Sequence, residues 1–291
     1  MNKIYEQYLE DYTSTEYSVA HPLTKYIEHY IYFSIPSEKI TDKYFHPFPY
    51  IGIEIYLHLN KSTLIVNQSK KKKEFKNVVI GFFEPSEKLL IRPKTIGTEY
   101  CCMLIFIKLE NILRFIDIPL YKLKNKVYTL SEIWKEQGKA FEEKILNYNK
   151  ISQIIKCIDQ FFINNLNSNL NDRKRRLNEI LNFCYSDNTI LTVDEICRSL
   201  QISYRTMYRI FKKEIGICPK KYLEIVRFNK VCNLLNKFPD MDWTELVYLC
   251  GYYDQSHFIH DFKSIMNCSP EKYIDLQVGK IYLNRPSISD N

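Results

Sequence analysis

The chain has 291 residues and a formal net charge of +7, with a pI near 8.7. That length accommodates two domains, and that charge permits a nucleic-acid partner without demanding one. Seven glycines argue against loops that cradle phosphate, and nine cysteines without a CxxC pair or a His/Cys cluster argue against structural zinc.

No apolar run approaches the roughly 18 residues of a membrane span. The polar start Met1-Asn2-Lys3-Ile4-Tyr5-Glu6 does not read as an export signal. The expected location is therefore the cytoplasm, with thiols reduced and buried as small hydrophobes.

Along the N-terminal half, Ile51, Ile53, Ile55, Leu57 and Leu59 alternate with Gly52, Glu54, Tyr56 and His58, the period of a half-buried strand. The polar side of that strand, Glu54, Tyr56 and His58, either lines an effector pocket or faces solvent. Residues 64–66, 78–82 and 100–107 supply further strands. Breaks are expected at Lys70-Lys71-Lys72-Lys73, read as a solvated hairpin loop ahead of a DNA contact, and at Arg92-Pro93-Lys94. Cys101 and Cys102 fall in one strand with their side chains on opposite faces, where a redox role is the lesser reading. His21, His29, His46 and His58 form no HxH pair. With no nucleophile elbow in view either, no metal site, cofactor or catalytic residue is expected.

The pattern turns helical over 110–116, 130–146 and 151–166. An Asn-rich stretch over 164–172 marks a boundary, dividing the chain into 1–171, 172–275 and a tail over 276–291. The run Arg173-Lys174-Arg175-Arg176 begins a helix ending near Tyr185. It reads as an exposed helix start, or as a set of charges grazing phosphates.

Between 191 and 273 the chain repeats itself at an offset of 51 residues. Phe211 falls on Phe262, Lys212 on Lys263, Pro219 on Pro270, Lys221 on Lys272 and Tyr222 on Tyr273; Met207 falls on Phe258 and Ile196 on Val247. Each copy reads as helix, tight turn, helix. Thr192 and Glu195 have capping-box spacing, Ser203 caps a second helix to about Glu214, and Gly216 stops it. Asp242 and Glu245 repeat the spacing, Gly251 allows the turn, and a helix follows over 254–265. A long helix from Pro219 to Asn236 lies between, about 27 Å long. That is a sensible span for holding two reading helices about one DNA turn, roughly 34 Å, apart.

On the first reading helix Met207, Ile210 and Phe211 form one stripe and Arg205, Tyr208, Arg209 and Lys212 the opposite one. A basic and aromatic face braced across a tight turn suits a DNA major groove, where an arginine fork takes guanine O6 and N7 together. A solvated face on an ordinary helical bundle is the alternative.

Residues 190–273 resemble the DNA-binding domain of AraC/XylS-type bacterial transcription regulators. The resemblance rests on residues 202–212, the segment Gly216 to Tyr222, Gly251-Tyr252, Asp254-Gln255-Ser256-His257-Phe258, Phe262-Lys263 and Ser269-Pro270-Glu271-Lys272-Tyr273. It implies that Arg205, Tyr208 and Arg209 meet bases and backbone from the first helix. Gln255, Ser256, Ile259 and His260 would do so from the second, with Ser203, Tyr204, Lys212 and Lys263 completing the contact set. Three departures stand out: His260 where the family usually has arginine, Val247 where it has alanine, and Tyr252 where it has phenylalanine.

By the same resemblance the first half is a cupin-like sensor, and Pro22-Leu23-Thr24-Lys25-Tyr26-Ile27-Glu28-His29-Tyr30 resembles the opening of one such type. The implied fold class is α+β: a β-rich barrel or sandwich with helices, then an all-α domain of two helix-turn-helix modules joined by a long helix. The implied partners are double-stranded DNA, RNA polymerase, a small-molecule effector and a second copy of the chain, with no membrane. Activation is the mode implied, although no residue distinguishes it from repression. Two other classes stay open: an effector-free DNA or protein scaffold, and a fusion using the β-domain for metal chemistry.

From Arg198 to Lys230 there are nine Lys/Arg against two Asp/Glu, and from Val231 to Tyr273 three against six. Phosphate neutralisation dominates non-specific affinity, so the first module is expected to supply most of the binding free energy. His260 would give the second module a weaker, pH-sensitive contact.

Overall fold

The computed structural model describes residues 13–27, 29–40, 52–60, 62–68, 71–82, 89–184, 191–237, 241–266 and 269–270. Met1 to Glu6, Glu28, His46, Ile51, Lys70, Tyr185, Lys272, Tyr273 and the expected tail over 276–291 lie outside them.

The N-terminal half contains β1 (Thr13–Tyr17), β2 (Tyr30–Pro36), β3 (Gly52–His58), β4 (Thr63–Gln68), β5 (Lys71–Phe75), β6 (Asn77–Ile80), β7 (Leu89–Lys94), β8 (Glu99–Lys108) and β9 (Val127–Tyr128). They form two antiparallel sheets, ordered β1-β2-β8-β3-β6-β9 and β5-β4-β7. Strand β8 is the spine of the larger sheet, with Ile105 opposite Tyr30 on one side and Ile55 on the other.

Four helices follow or interleave: α1 (Leu109–Ile112), α2 (Leu120–Leu123), α3 (Leu130–Ile145) and α4 (Ile151–Asn164). Thr129 and Glu132 close a capping box at the start of α3, satisfying amides that the first turn leaves orphaned. Asp159 on α4 accepts from Tyr30 Oη at 2.9 Å and from the Ala20 amide at 3.2 Å, which ties that helix to β2.

Several expectations about this half are corrected. Strand β3 is buried along its whole length, not half-buried, because its faces meet different layers. Ile53, Ile55 and Leu57 share a core with the helices. Tyr56 belongs to the core with β4, β6 and β7, and alternation puts Glu54 and His58 on its side. The solvent-face reading of these three is thereby overturned. The lysine run is not a loop: Lys71, Lys72 and Lys73 are exposed on edge strand β5, where lysines blunt sheet-to-sheet pairing. Arg92-Pro93-Lys94 likewise lies in β7, whose Pro93 is tolerated because β7 is an edge.

The C-terminal half comprises α5 (Asp172–Cys184), α6 (Val193–Ser199), α7 (Tyr204–Glu214), α8 (Pro219–Lys237), α9 (Trp243–Leu249) and α10 (Gln255–Met266). Helix α5 buries Leu177, Ile180, Leu181 and Cys184 in one core that runs from Ile112 and Leu120 to Met207 and Phe211. Its basic start is tied into the protein. Arg173 pairs with Glu214 at 2.6 Å, Lys174 with Asp117 at 2.7 Å, and Arg175 reaches Asp172 at 3.4 Å. Lys124 adds a bond at 3.1 Å to the Gly216 carbonyl just beyond α7.

Gly81 sits where β6 meets the turn after α2. Its amide bonds the Lys126 carbonyl at 3.0 Å, and a Cβ there would collide with the Leu123 carbonyl. Gly81→Ala should destabilise the protein by about 1–3 kcal/mol, read as a lower midpoint in urea. An unchanged midpoint would mean that the turn yields freely.

In the sheet interior His58 Nδ1 donates to the Lys76 carbonyl and Nε2 lies 2.7 Å from Tyr100 Oη, so that in the neutral ring Nε2 accepts from the tyrosine. Burial pushes its pKa down to about 4 from 6.5. Between those values the unfolded chain binds the extra proton. The contribution is therefore complete above pH 6.5 and is lost as pH falls toward 4, up to about 3 kcal/mol. Urea melts at pH 7 and pH 5 should show wild type losing more stability than His58→Gln; parallel losses would refute the assignment.

Candidate nucleic-acid interface

The first module is built from its caps. Thr192 accepts from the Glu195 amide and Glu195 returns a bond to the Thr192 amide, closing the box at α6. Ser203 accepts from the Thr206 amide at 3.1 Å and starts α7. Gln201 makes the turn at a φ of +51°, and Gly216 stops α7 at a φ of +88°. Met207 and Phe211 are fully buried, which fixes the rotation of α7 about its axis. Tyr204, Arg205, Tyr208, Arg209 and Lys212 are consequently turned outward.

Side chains on that outward face pack on one another. Tyr204 and Tyr208 stack with centroids 6.4 Å apart, and Lys212 Nζ lies 5.9 Å over the Tyr208 ring. Arg205, Tyr208, Arg209 and Lys212 line one shallow depression. Lys213 lines it too, a residue that the sequence reading passed over although it extends the same basic run.

The second module repeats this construction. Asp242 caps α9 through the Thr244 and Glu245 amides at 2.8 and 3.3 Å, and Asp254 takes the His257 amide at 2.7 Å before α10. Phe258, Phe262 and Ile265 are buried. Gln255, Ser256, His260 and Lys263 are exposed and Ile259 is half-buried. Tyr252 keeps the role of a buried ring, 5.3 Å from Phe258 and beneath the Arg227 guanidinium at 5.5 Å.

Charge on α10 differs from that on α7. Asp261 sits between two imidazoles, 3.6 Å from His257 Nε2 and 3.5 Å from His260 Nδ1. Neither His257 nor Asp261 is among the expected contact residues, and their i, i+4 spacing was the available signal.

The offset between the copies also needs correction. Ile202 N bonds Cys197 O and Tyr252 N bonds Val247 O, while Gln201 and Gly251 both take positive φ. These pairs differ by 50, so Ile196 corresponds to Leu246 rather than Val247. Met207 N to Ser203 O and Phe258 N to Asp254 O differ by 51. One residue is inserted in the second turn, and it is Tyr253.

Helix α8 holds both modules. Its Tyr222 meets Phe211 edge-on at 5.4 Å and its Phe228 meets Phe262 at 5.1 Å, so equivalent phenylalanines dock on one helix. Glu54, Tyr56 and His58 lie inside the sheets, with Tyr56 Oη donating to Glu54 at 2.9 Å, and Tyr56 belongs to the same buried cluster as Phe228 and Phe262. Cys101 and Cys102 are buried and their thiols are pushed up by burial. Among the described residues no group of three or more His, Cys, Asp or Glu is placed to hold a metal ion, and no helix is long and apolar enough to cross a membrane.

Residues 196–275 match the family model for a helix-turn-helix domain. The chain is 30% identical over 118 residues to the HTH-type transcriptional activator RhaS of Escherichia coli O139:H28 and of strain SE11. The match takes in 40% of this chain, which spans 40% of the length of those relatives. An apo crystal structure of a ToxT variant from Vibrio cholerae strain SCE256 is similar in fold over 85% of this chain and 97% of that one, with a TM-score of 0.50 at 16% identity. The β-rich half followed by paired helical modules is thus a known arrangement, and the C-terminal part of this chain is a helix-turn-helix domain.

Proposed function

We propose that the chain is a sequence-specific transcription regulator, in which α7 and α10 enter successive major-groove segments of double-stranded DNA. The observation that carries this reading is the outward face of α7, where Arg205, Tyr208, Arg209 and Lys212 stand exposed above the fully buried Met207 and Phe211. Guanidinium forks there read guanine edges, lysines neutralise phosphate, and the tyrosine rings supply apolar contact. The segment 172–275 acts as the DNA-binding domain and 1–171 as the sensor or dimerisation domain. Activation through RNA polymerase is the mode favoured by the relatives named as activators.

Control belongs to the N-terminal half. An effector acts only through different affinities for two states of the protein. Entry between the sheets, near Glu54, Tyr56 and His58, is the reading for a small molecule. A second reading, an effector-free scaffold that dimerises through the first half, is favoured by one observation: Tyr56 to Glu54 and His58 to Tyr100 are already hydrogen-bonded inside.

The test is binding of the full chain to its own upstream DNA across a salt series, beside Arg209→Ala. Steep salt dependence and sequence preference are expected, and loss of one good arginine–base contact, about 1–3 kcal/mol, should weaken the variant roughly five- to a hundredfold. Sequence-blind binding that Arg209→Ala leaves unchanged would refute the reading.

A further inference from the structure

The residue inserted in the second turn has no structural task of its own. Tyr253 is 94% exposed, and the bonds that close the turn come from Gly251 and Tyr252 on one side of it and Asp254 on the other. The first module closes the equivalent turn without such a residue, since Ile202 leads straight into the cap Ser203. Leaving a tyrosine ring almost fully in water forgoes burial of a large apolar surface. Its neighbours Tyr248 and Leu249 on α9 are exposed as well.

Position supplies the partner. Tyr253 immediately precedes the cap of α10, at the N-terminal end of that helix, and recognition helices present this end to base edges. The module around it is poor in positive charge, with three Lys/Arg against six Asp/Glu from Val231 to Tyr273. Asp261 also lies on the helix itself. Such a module gains little from counterion release and must hold DNA by other contacts.

We infer that Tyr253 is a further DNA-contacting residue, laying its ring against sugar or a thymine methyl beside the α10 reading site and so giving the second module a non-ionic hold on the duplex. This rests on the DNA-binding reading above. The ring suits the task because it carries apolar contact area at low conformational cost, and its hydroxyl is within the chemistry of phosphate and sugar contacts.

The experiment uses the full chain and a duplex that wild type itself selects from a random pool, with dissociation constants measured across a potassium chloride series. Tyr253→Ala should weaken binding about five- to tenfold at every salt concentration, the loss of one aromatic contact, while the slope of log K against log salt stays as in wild type. Tyr253→Phe should stay within about twofold of wild type if the ring carries the contact. The thermal midpoint of either variant should not move, since so exposed a side chain packs against little. Unchanged affinity in Tyr253→Ala would overturn the inference, as would a shallower salt slope, which would make the residue an aid to phosphate neutralisation. Failure of wild type to select any sequence would instead remove the DNA-binding reading.

Discussion

Burial of Met207 and Phe211 is the constraint on which the first reading face depends. Both side chains are fully buried, and truncating either to alanine would forfeit on the order of 2–5 kcal/mol of packing. A helix pinned by two residues four apart cannot roll. Arg205, Tyr208, Arg209 and Lys212 therefore point outward because the opposite stripe has nowhere else to go. The same core continues through Leu177, Ile180 and Leu181 of α5 into Ile112 and Leu120. Helix α7 is thus oriented by apolar packing that reaches the N-terminal half, while the ion pairs at Arg173 and Lys174 are partly exposed and contribute far less.

The duplicated modules keep their scaffolding and diverge in their chemistry. Caps at Ser203 and Asp254, positive φ at Gln201 and Gly251, and phenylalanines docked on α8 recur in both. What differs is outward. The first copy presents arginines and lysines braced by stacked tyrosines; the second presents Gln255, Ser256 and His260 beside a carboxylate. Electrostatic attraction is long-ranged and indifferent to sequence, whereas uncharged contacts act only at close fit. Under the proposed function, two modules divided in this way would draw unequally on charge and on close fit at the duplex.

Legibility in the sequence followed the range of the interactions involved. Capping boxes, stop glycines and the apolar stripe of α7 are local, and Thr192, Ser203, Gly216 and Phe211 do what their spacing announced. The insertion at Tyr253 escaped a single-offset comparison because apolar residues fill both registers, and only backbone bonds separate 50 from 51. Strands β1, β2, β5, β7 and β9 were not read. Lys71 to Lys73 and Arg92-Pro93-Lys94 carry loop-like composition, and edge pairing with β4 overrides it. The charge run at Arg173 looked solvated because its partners, Glu214 and Asp117, are 41 and 57 residues away. For the candidate site, the exposed residues of α7 and α10 were visible as faces, but the packing of Glu54, Tyr56 and His58 depended on a second sheet that alternation does not reveal.

That second sheet sets what the proposed entry of an effector would require. Any molecule entering between the sheets must replace the bonds from Tyr56 to Glu54 and from Tyr100 to His58, or leave buried polar groups unsatisfied at a cost of about 1–3 kcal/mol each. A ligand that meets this demand must carry its own donors and acceptors. Glu54 stands opposite Ile80 in the ladder, the next residue Gly81 bonds the turn at Lys126, and Lys124 of that turn bonds the carbonyl of Gly216 at the end of α7. Contiguity of this kind transmits nothing unless one of its links has two arrangements.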